Sequence, residues 1–153
     1  MPLPICACQM ALTASEGHVY AVERKEEAVA LLEENNRKFR PGNMTVVAGT
    51  APEACADLPA PTHVFVGGSA GSMRAILEAA LAKNPGARIV ATAITLESIG
   101  ELTACAKEMG FEDCEVVSLS VARSRAAGRY HLMMGQNPIY VFAMQHAEGG
   151  EAK

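Results

Sequence analysis

Three stretches place residues capable of ligand chemistry where a strand-like run gives way to a turn. The first is Glu23-Arg24, directly after Tyr20-Ala21-Val22. A carboxylate at a strand end can accept two hydrogen bonds from a ribose diol; equally, an acid there complements the start of the next helix. The second, Gly49-Thr50-Ala51, leaves a slot flat enough for a planar base and reads as well as a plain turn. The third, Gly67-Gly68-Ser69-Ala70-Gly71, has three glycines in five residues. Backbone can approach a ligand closely there, and free N–H groups face outward where a helix begins. No Gly-Lys-Ser/Thr follows and the spacing is not Gly-x-Gly-x-x-Gly, so a Walker loop and a dinucleotide fingerprint are both excluded. A glycine-rich connection without a ligand has the same composition.

A second group suits an acidic substrate. Arg123, Arg125 and Arg129 fall within seven residues of a chain whose net charge is −4. Guanidinium forks match carboxylates in geometry and charge, and solvated surface charge is the alternative. Tyr130 and His131 follow and could donate a proton, stack, or serve structure. Thr95 and Glu97 follow an apolar run ending at Ala93, where they meet a ligand or cap a helix. Met133, Met134 and Met144 belong to core or interface. The five cysteines are scattered; Cys6 and Cys8 are too close to bridge and have no second pair at zinc spacing. Reduced, buried thiols and no metal are expected.

These residues need elements to hold them. Strands are expected over 18–22, 44–48, 62–66 and 87–93, and helices over 25–39, 72–83 and 96–109, with Asn84-Pro85-Gly86 stopping the middle helix and Gly110 the last. Residues 52–56 suit one helical turn. The run 87–93 is continuously apolar apart from Arg88 and Thr92, as in a strand buried on both faces of a parallel sheet. Strands over 115–122 and 138–144 have no helix between them and should pair antiparallel, joined by a loop over 123–137. Alternating β-α units that end in such a pair make a three-layer α/β sheet, which binds ligands beyond the carboxyl ends of its strands. Glu23, Thr50 and Gly67 are therefore expected to share one cleft. A single domain over 1–147 and a flexible tail over 148–153 complete the chain.

Composition limits the function. Half of the residues are apolar and a fifth charged, as in ordinary globular domains. The negative balance argues against nucleic acid. No apolar run approaches the roughly 18 residues of a membrane span, and residues 3–14 lack a basic leader, so a cytoplasmic protein is expected.

The segments Val19-Tyr20-Ala21-Val22-Glu23-Arg24, Asn43-Met44-Thr45-Val46-Val47 and Pro85-Gly86-Ala87-Arg88-Ile89-Val90 resemble class I S-adenosylmethionine-dependent methyltransferases, a Rossmann-like fold. The last departs from the pattern at Ala87, where a second glycine is common. Leu58-Pro59-Ala60-Pro61-Thr62-His63-Val64-Phe65-Val66-Gly67-Gly68-Ser69, Ala93-Ile94-Thr95-Leu96-Glu97 and Gln136-Asn137-Pro138-Ile139-Tyr140 are similar to the decarboxylating precorrin methyltransferases of cobalamin biosynthesis. The similarity spans about residues 10–142. It implies methyl transfer from S-adenosylmethionine to carbon 15 of a corrinoid macrocycle, with loss of carbon dioxide from an acetate side chain, in a homotetramer. Carried over by position, Glu23 with Arg24 would hold the ribose, Gly49, Thr50 and Ala51 would border the adenine, and Gly67, Gly68 and Ser69 would line the donor pocket. Thr95, Glu97 and the three arginines would meet the precorrin. Asn137-Pro138-Ile139-Tyr140 also resembles the Asn-Pro-Pro-Tyr motif of amino-methylating enzymes, but it stands at the penultimate bend rather than after the third strand, which excludes that role.

One part of the pattern is missing. The methyltransferase fold opens with a central strand and a glycine loop, yet no glycine precedes Gly17. Pro2 and Pro4 make a poor central strand and an acceptable helix start. A helix over 4–15 is expected, with the first strand missing or replaced and donor binding weakened. The alternative function is a non-catalytic or truncated homologue that binds corrinoid or completes an oligomer.

Overall fold

Residues 5–69 and 71–146 are described by the computed structural model. Pro4, Ala70 and the expected tail 148–153 lie outside them. By its internal contacts the chain divides into two compact units, Met1–Pro59 and Ala60–Lys153.

In the first unit, α1 (Ile5–Thr13) precedes β1 (Val19–Glu23), α2 (Glu26–Phe39) and β2 (Met44–Ala48). Glu26 and Glu27 in the first turn of α2, with Arg37 and Lys38 in its last, complement the helix dipole. The helix ends where Arg40 turns left-handed, at φ 48°, ahead of Pro41, which cannot continue it. β1 and β2 pair in parallel from Val19↔Met44 to Glu23↔Ala48. The unit closes on Cys8, Ala11, Ala21, Leu32 and Met44. Asn43 ties the end of α1 to the start of β2. Its Nδ2 lies 2.9 Å from the Ala11 carbonyl oxygen, 2.7 Å from that of Ala14 and 3.0 Å from that of Gly17. Its Oδ1 is buried without a partner.

The second unit holds β3 (His63–Val66), α3 (Met73–Lys83), β4 (Arg88–Ala93), α4 (Leu96–Glu108), β5 (Asp113–Leu119), β6 (Ala122–Ala127), β7 (Tyr130–Gly135) and β8 (Ile139–Gln145). Its main sheet runs β3-β4-β8-β5, with β3 parallel to β4 and β8 antiparallel to both neighbours. The expected C-terminal antiparallel pair is therefore β5 with β8. The segment between them differs from expectation: it is a hairpin, β6 paired with β7 from Ala122↔Gly135 to Ala127↔Tyr130. Gly128, at φ 61°, opens its two-residue turn, the position where a hairpin favours glycine.

β4 departs from the expected burial on both faces. Ile89, Ala91 and Ala93 are buried, whereas Val90 and Thr92 are half-buried and Arg88 is exposed. The buried face packs with Met73 and Leu77 of α3 and Leu102 and Cys105 of α4. Losing a fully buried side chain such as Leu77 or Leu102 costs about 2–5 kcal/mol. α3 and α4 are also tied through charge: the Arg74 guanidinium lies 2.6 Å from Glu108 and 3.9 Å from Glu78. The Glu108 hydrogen bond, with the surrounding carboxylates, raises the Arg74 pKa further. Past α4, Phe111 N–H donates to the Ala106 carbonyl and Gly110 N–H to that of Lys107. With Gly110 at φ 72°, this is the Schellman closure expected of a glycine at that position.

Among the described residues β1 and β3 are each edge strands of their own sheets, and the expected N-terminal helix is present from Ile5.

Candidate functional site

At the end of β1, Glu23 is half-buried and its Oε1 accepts the Lys25 N–H at 2.9 Å. The remaining lone pairs of the carboxylate stay available for hydroxyl donors. Arg24 is exposed. Gly49 N–H donates to the Glu23 carbonyl at 2.9 Å, so the turn after β2 is locked to the end of β1. A Cβ at Gly49 would stand 2.7 Å from Ala54 Cβ, which explains why the turn needs glycine here. Thr50 is exposed, Ala51 half-buried, and the 3-10 turn Glu53–Cys55 follows, close to the helical turn expected.

In the second unit a cavity of about 260 Å³ opens where β3 and β4 end. Gly67, Gly68, Ser69 and Gly71 form one wall; Thr92, Ala93, Ile94, Met73 and Ser98 complete it. It exists because parallel β3 and β4 deliver both following turns to the same end of the sheet. A Cβ on Gly68 would meet no protein atom within 4 Å, so the room this glycine leaves belongs to the cavity. Gly71 adopts φ +89°, which favours glycine. Thr92 Oγ1 donates to the Gly67 carbonyl at 3.3 Å, one residue beyond the Val66↔Ala91 end of the ladder. Among the described residues no ionised side chain lines this cavity. Its polarity comes from hydroxyls, backbone, and the positive first turns of α3 and α4.

Those two helices begin differently. Ser72, at the start of α3, makes no side-chain cap; Glu101 of α4 instead accepts the Arg74 N–H at 3.2 Å. Thr95 caps α4, accepting the Ser98 N–H at 3.1 Å, which is the capping alternative raised for it. Glu97 lies exposed in the first turn.

The hairpin sorts the remaining candidates by face. Cross-strand partners share a face and neighbours along a strand alternate. The register puts Arg123 opposite Met134, Arg125 opposite Leu132 and Ala127 opposite Tyr130, all on one face. His131, opposite Ala126, is on the other. Tyr130 and His131 therefore cannot serve one reacting atom from the same hairpin. Arg129 Nε donates to Tyr130 Oη at 3.1 Å, and its guanidinium lies 5.1 Å from the ring centroid.

Among the described residues no cysteine forms a disulfide, and no cluster of three or more metal-ligating side chains occurs. Cys8 and Cys105 are buried, and burial pushes both thiols up, away from thiolate. Cys6 and Cys114 are exposed, unlike the buried set expected.

Gly71 belongs to the glycine-rich stretch expected to meet a ligand, whereas Thr92, Ile94, Met73 and Ser98 were not singled out by sequence as site residues. Only the Thr95-x-x-Ser98 spacing of a helix cap hinted at one of them.

Comparison with known proteins gives a consistent match. The model of a family described as precorrin methyltransferase domain matches residues 6–146. A relative from Pyrobaculum calidifontis, "Probable cobalt-precorrin-6B C(15)-methyltransferase (decarboxylating)", is 40% identical over 135 residues, 87% of this chain and 69% of that protein. The "Cobalt-precorrin-6B C(15)-methyltransferase (decarboxylating)" of Salmonella typhimurium is 32% identical over 85% of this chain and 67% of its own length. The chain thus spans about two-thirds of such relatives. Among solved structures, the precorrin-6y C5,15-methyltransferase of Geobacter metallireducens superposes with a TM-score of 0.78 at 28% identity, covering 94% of this chain and 78% of that one. The precorrin 8W decarboxylase of Methanobacterium thermoautotrophicum gives 0.73 at 36% identity, covering 87% and 73%. A SAM-dependent O-methyltransferase from Thermotoga maritima, 18% identical with a TM-score of 0.67, extends the likeness in fold alone.

Proposed function

Since the chain belongs to the precorrin methyltransferase domain family, matching its model over residues 6–146, we propose that it methylates a precorrin macrocycle using S-adenosylmethionine and decarboxylates one acetate side chain. The observation that carries this reading is the uncharged cavity behind Gly67 and Gly68, with open room beside Gly68 and two helix starts at its wall. S-adenosylmethionine, when bound, supplies an electrophilic methyl on a sulfonium. The residues present suit its nucleoside end: Glu23 has lone pairs to spare for the ribose, assisted by Arg24, and Gly49, Thr50 and Ala51 border the adenine. Gly67, Gly68 and Ser69 line the donor pocket of the second unit. Positioning for an in-line displacement is the main task left to such residues, a contribution of about 7–11 kcal/mol.

On the acceptor side, Arg123, Arg125 and Arg129 bind precorrin carboxylates, with Thr95 and Glu97 beside the cavity wall. The methyl replaces a proton on the ring carbon. The acetate loses carbon dioxide; the electron pair it leaves enters the conjugated macrocycle, and a proton takes the place of the carboxylate. Tyr130 fits the proton donor better than His131. It shares a face with Arg123 and Arg125, and with its oxygen accepting from Arg129 its own O–H is free to donate.

The exposed hairpin supports self-association. Leu132 and Met133 are 53% and 67% exposed, and a two-stranded ribbon is marginal in water unless something packs on it. A second copy of the chain is its proposed cover.

Incubation with S-adenosylmethionine and a cobalt-precorrin substrate should yield a product that has gained one methyl group and lost one carbon dioxide. Tetrapyrrole binding with neither change would assign the chain to the non-catalytic alternative, and neither binding nor turnover would overturn the proposal.

A further inference from the structure

The hydroxyls around the Gly67–Gly71 cavity are unequally committed. Thr92 Oγ1 donates to the Gly67 carbonyl. Thr95 Oγ1 accepts the Ser98 N–H and donates to Ser98 Oγ, both at 3.1 Å. A hydroxyl carries one donor and two acceptor positions. Ser98 Oγ thus receives a proton from Thr95 while its own proton has no protein acceptor among the described residues. Ser98 also lines the cavity, whereas Thr95 does not.

We propose that Ser98 is a ligand-binding residue of this cavity, a hydrogen-bond donor held ready by Thr95 for a carboxylate oxygen of the bound ligand. An acceptor-only oxygen is the group that fits. Among the described residues the lining offers the Ser98 hydroxyl, backbone and no ionised side chain, with the first turns of two helices alongside. Glu101, bound to the Arg74 N–H, and Glu97, exposed, stand at those helix starts but outside the lining, so a carboxylate finds a donor and no like charge in the wall itself. A cationic or donor-rich ligand group finds the reverse. Thr95 is a positioning residue: it fixes the helix start and occupies one lone pair of Ser98, leaving the proton to point elsewhere. The inference deepens the function proposed above. In that setting the carboxylate comes from a precorrin side chain or from the amino-acid end of S-adenosylmethionine.

The test is titration of wild type, Ser98→Ala and Ser98→Thr with a cobalt-precorrin and, separately, with S-adenosylmethionine, alongside their thermal midpoints. Ser98→Ala should lower affinity for one of the two about tenfold, as for loss of a hydrogen bond to a charged group. Ser98→Thr should restore it to within about twofold, a loss well under 1 kcal/mol. All three proteins should melt together, because the alanine retains the backbone N–H that Thr95 caps. The ligand that loses affinity identifies the source of the carboxylate. Unchanged affinity for both in Ser98→Ala, with wild type binding, overturns the inference while leaving the proposed function standing. If wild type binds neither, the function proposed above fails, and acetate becomes the probe, followed through the amide NMR shifts of Gly67, Gly68 and Ser98. A saturable shift in wild type that Ser98→Ala abolishes sustains the inference; its absence in wild type, or its persistence in the alanine variant, overturns it.

Discussion

Asn43 shows how one side chain can organise a unit with so small a core. Its amide nitrogen faces three carbonyl oxygens with two hydrogens to share, while its oxygen is buried and unpartnered. The position calls for a donor. Asn43→Ala should cost about 1–3 kcal/mol, the range for lost hydrogen bonds and stranded carbonyls. Asn43→Asp should cost more at neutral pH, because an ionised carboxylate accepts only and would face carbonyl oxygens. Its folded-state pKa would be raised above the unfolded value of about 3.9. The variant therefore gains stability relative to wild type as pH falls through the raised value, where a protonated carboxyl can donate once. Urea midpoints at neutral and mildly acidic pH would show this, and an aspartate variant no less stable than the alanine at neutral pH would contradict it.

Among the elements, the β6–β7 hairpin changes the reading of the candidate chemistry most. A loop over 123–137 would leave all five ligand-like residues free to converge, whereas a paired ribbon fixes alternate faces. Arg123, Arg125 and Tyr130 share one face with Leu132 and Met134, and His131 is on the other with Met133. Arg123→Ala and Arg125→Ala should each weaken precorrin binding by about 1.5–3 kcal/mol, as for hydrogen bonds to charged groups. Tyr130→Phe should slow decarboxylation with little change in affinity, and His131→Ala should do neither. Titration together with single-turnover carbon dioxide release separates these effects. A His131→Ala variant that binds normally but fails to release carbon dioxide would reassign the proton donor to the opposite face.

At the scale of the whole molecule, apolar surface remains in contiguous strands. β5 is exposed along its length, including Val116, Val117 and Leu119, and the hairpin adds Tyr130, Leu132, Met133 and Met134. Patches of this extent on soluble proteins mark interaction surfaces. The chain should sediment as an oligomer at micromolar concentration. Replacing Leu132 and Met133 with serine should shift it toward monomer while the far-ultraviolet circular dichroism stays that of an α/β protein. A wild-type monomer under the same conditions would contradict the self-association.

What short-range physics governs was legible from the chain alone. The strand Met44–Ala48, the helix ended by Asn84 and Pro85, and the Gly110 closure depend on neighbouring residues, and each formed where strand propensity, punctuation and capping place it. The antiparallel closing pair followed from the missing helix between its strands, and the family was readable from Gly67-Gly68-Ser69 and Thr95-Leu96-Glu97. The hairpin escaped notice because Ala-Arg-Ser-Arg-Ala-Ala has weak strand propensity, and its pairing partner, rather than its own composition, makes β6 a strand. Thr92 and Ser98 join Gly67 in one wall only because β3 and β4 lie side by side in register, which brings together residues 25 and 31 positions apart. Asn43 meets Ala11 across 32 positions in the same way. Local dihedral preference is written residue by residue; which hydroxyl is left with a free proton depends on partners that only long-range strand and helix packing supplies.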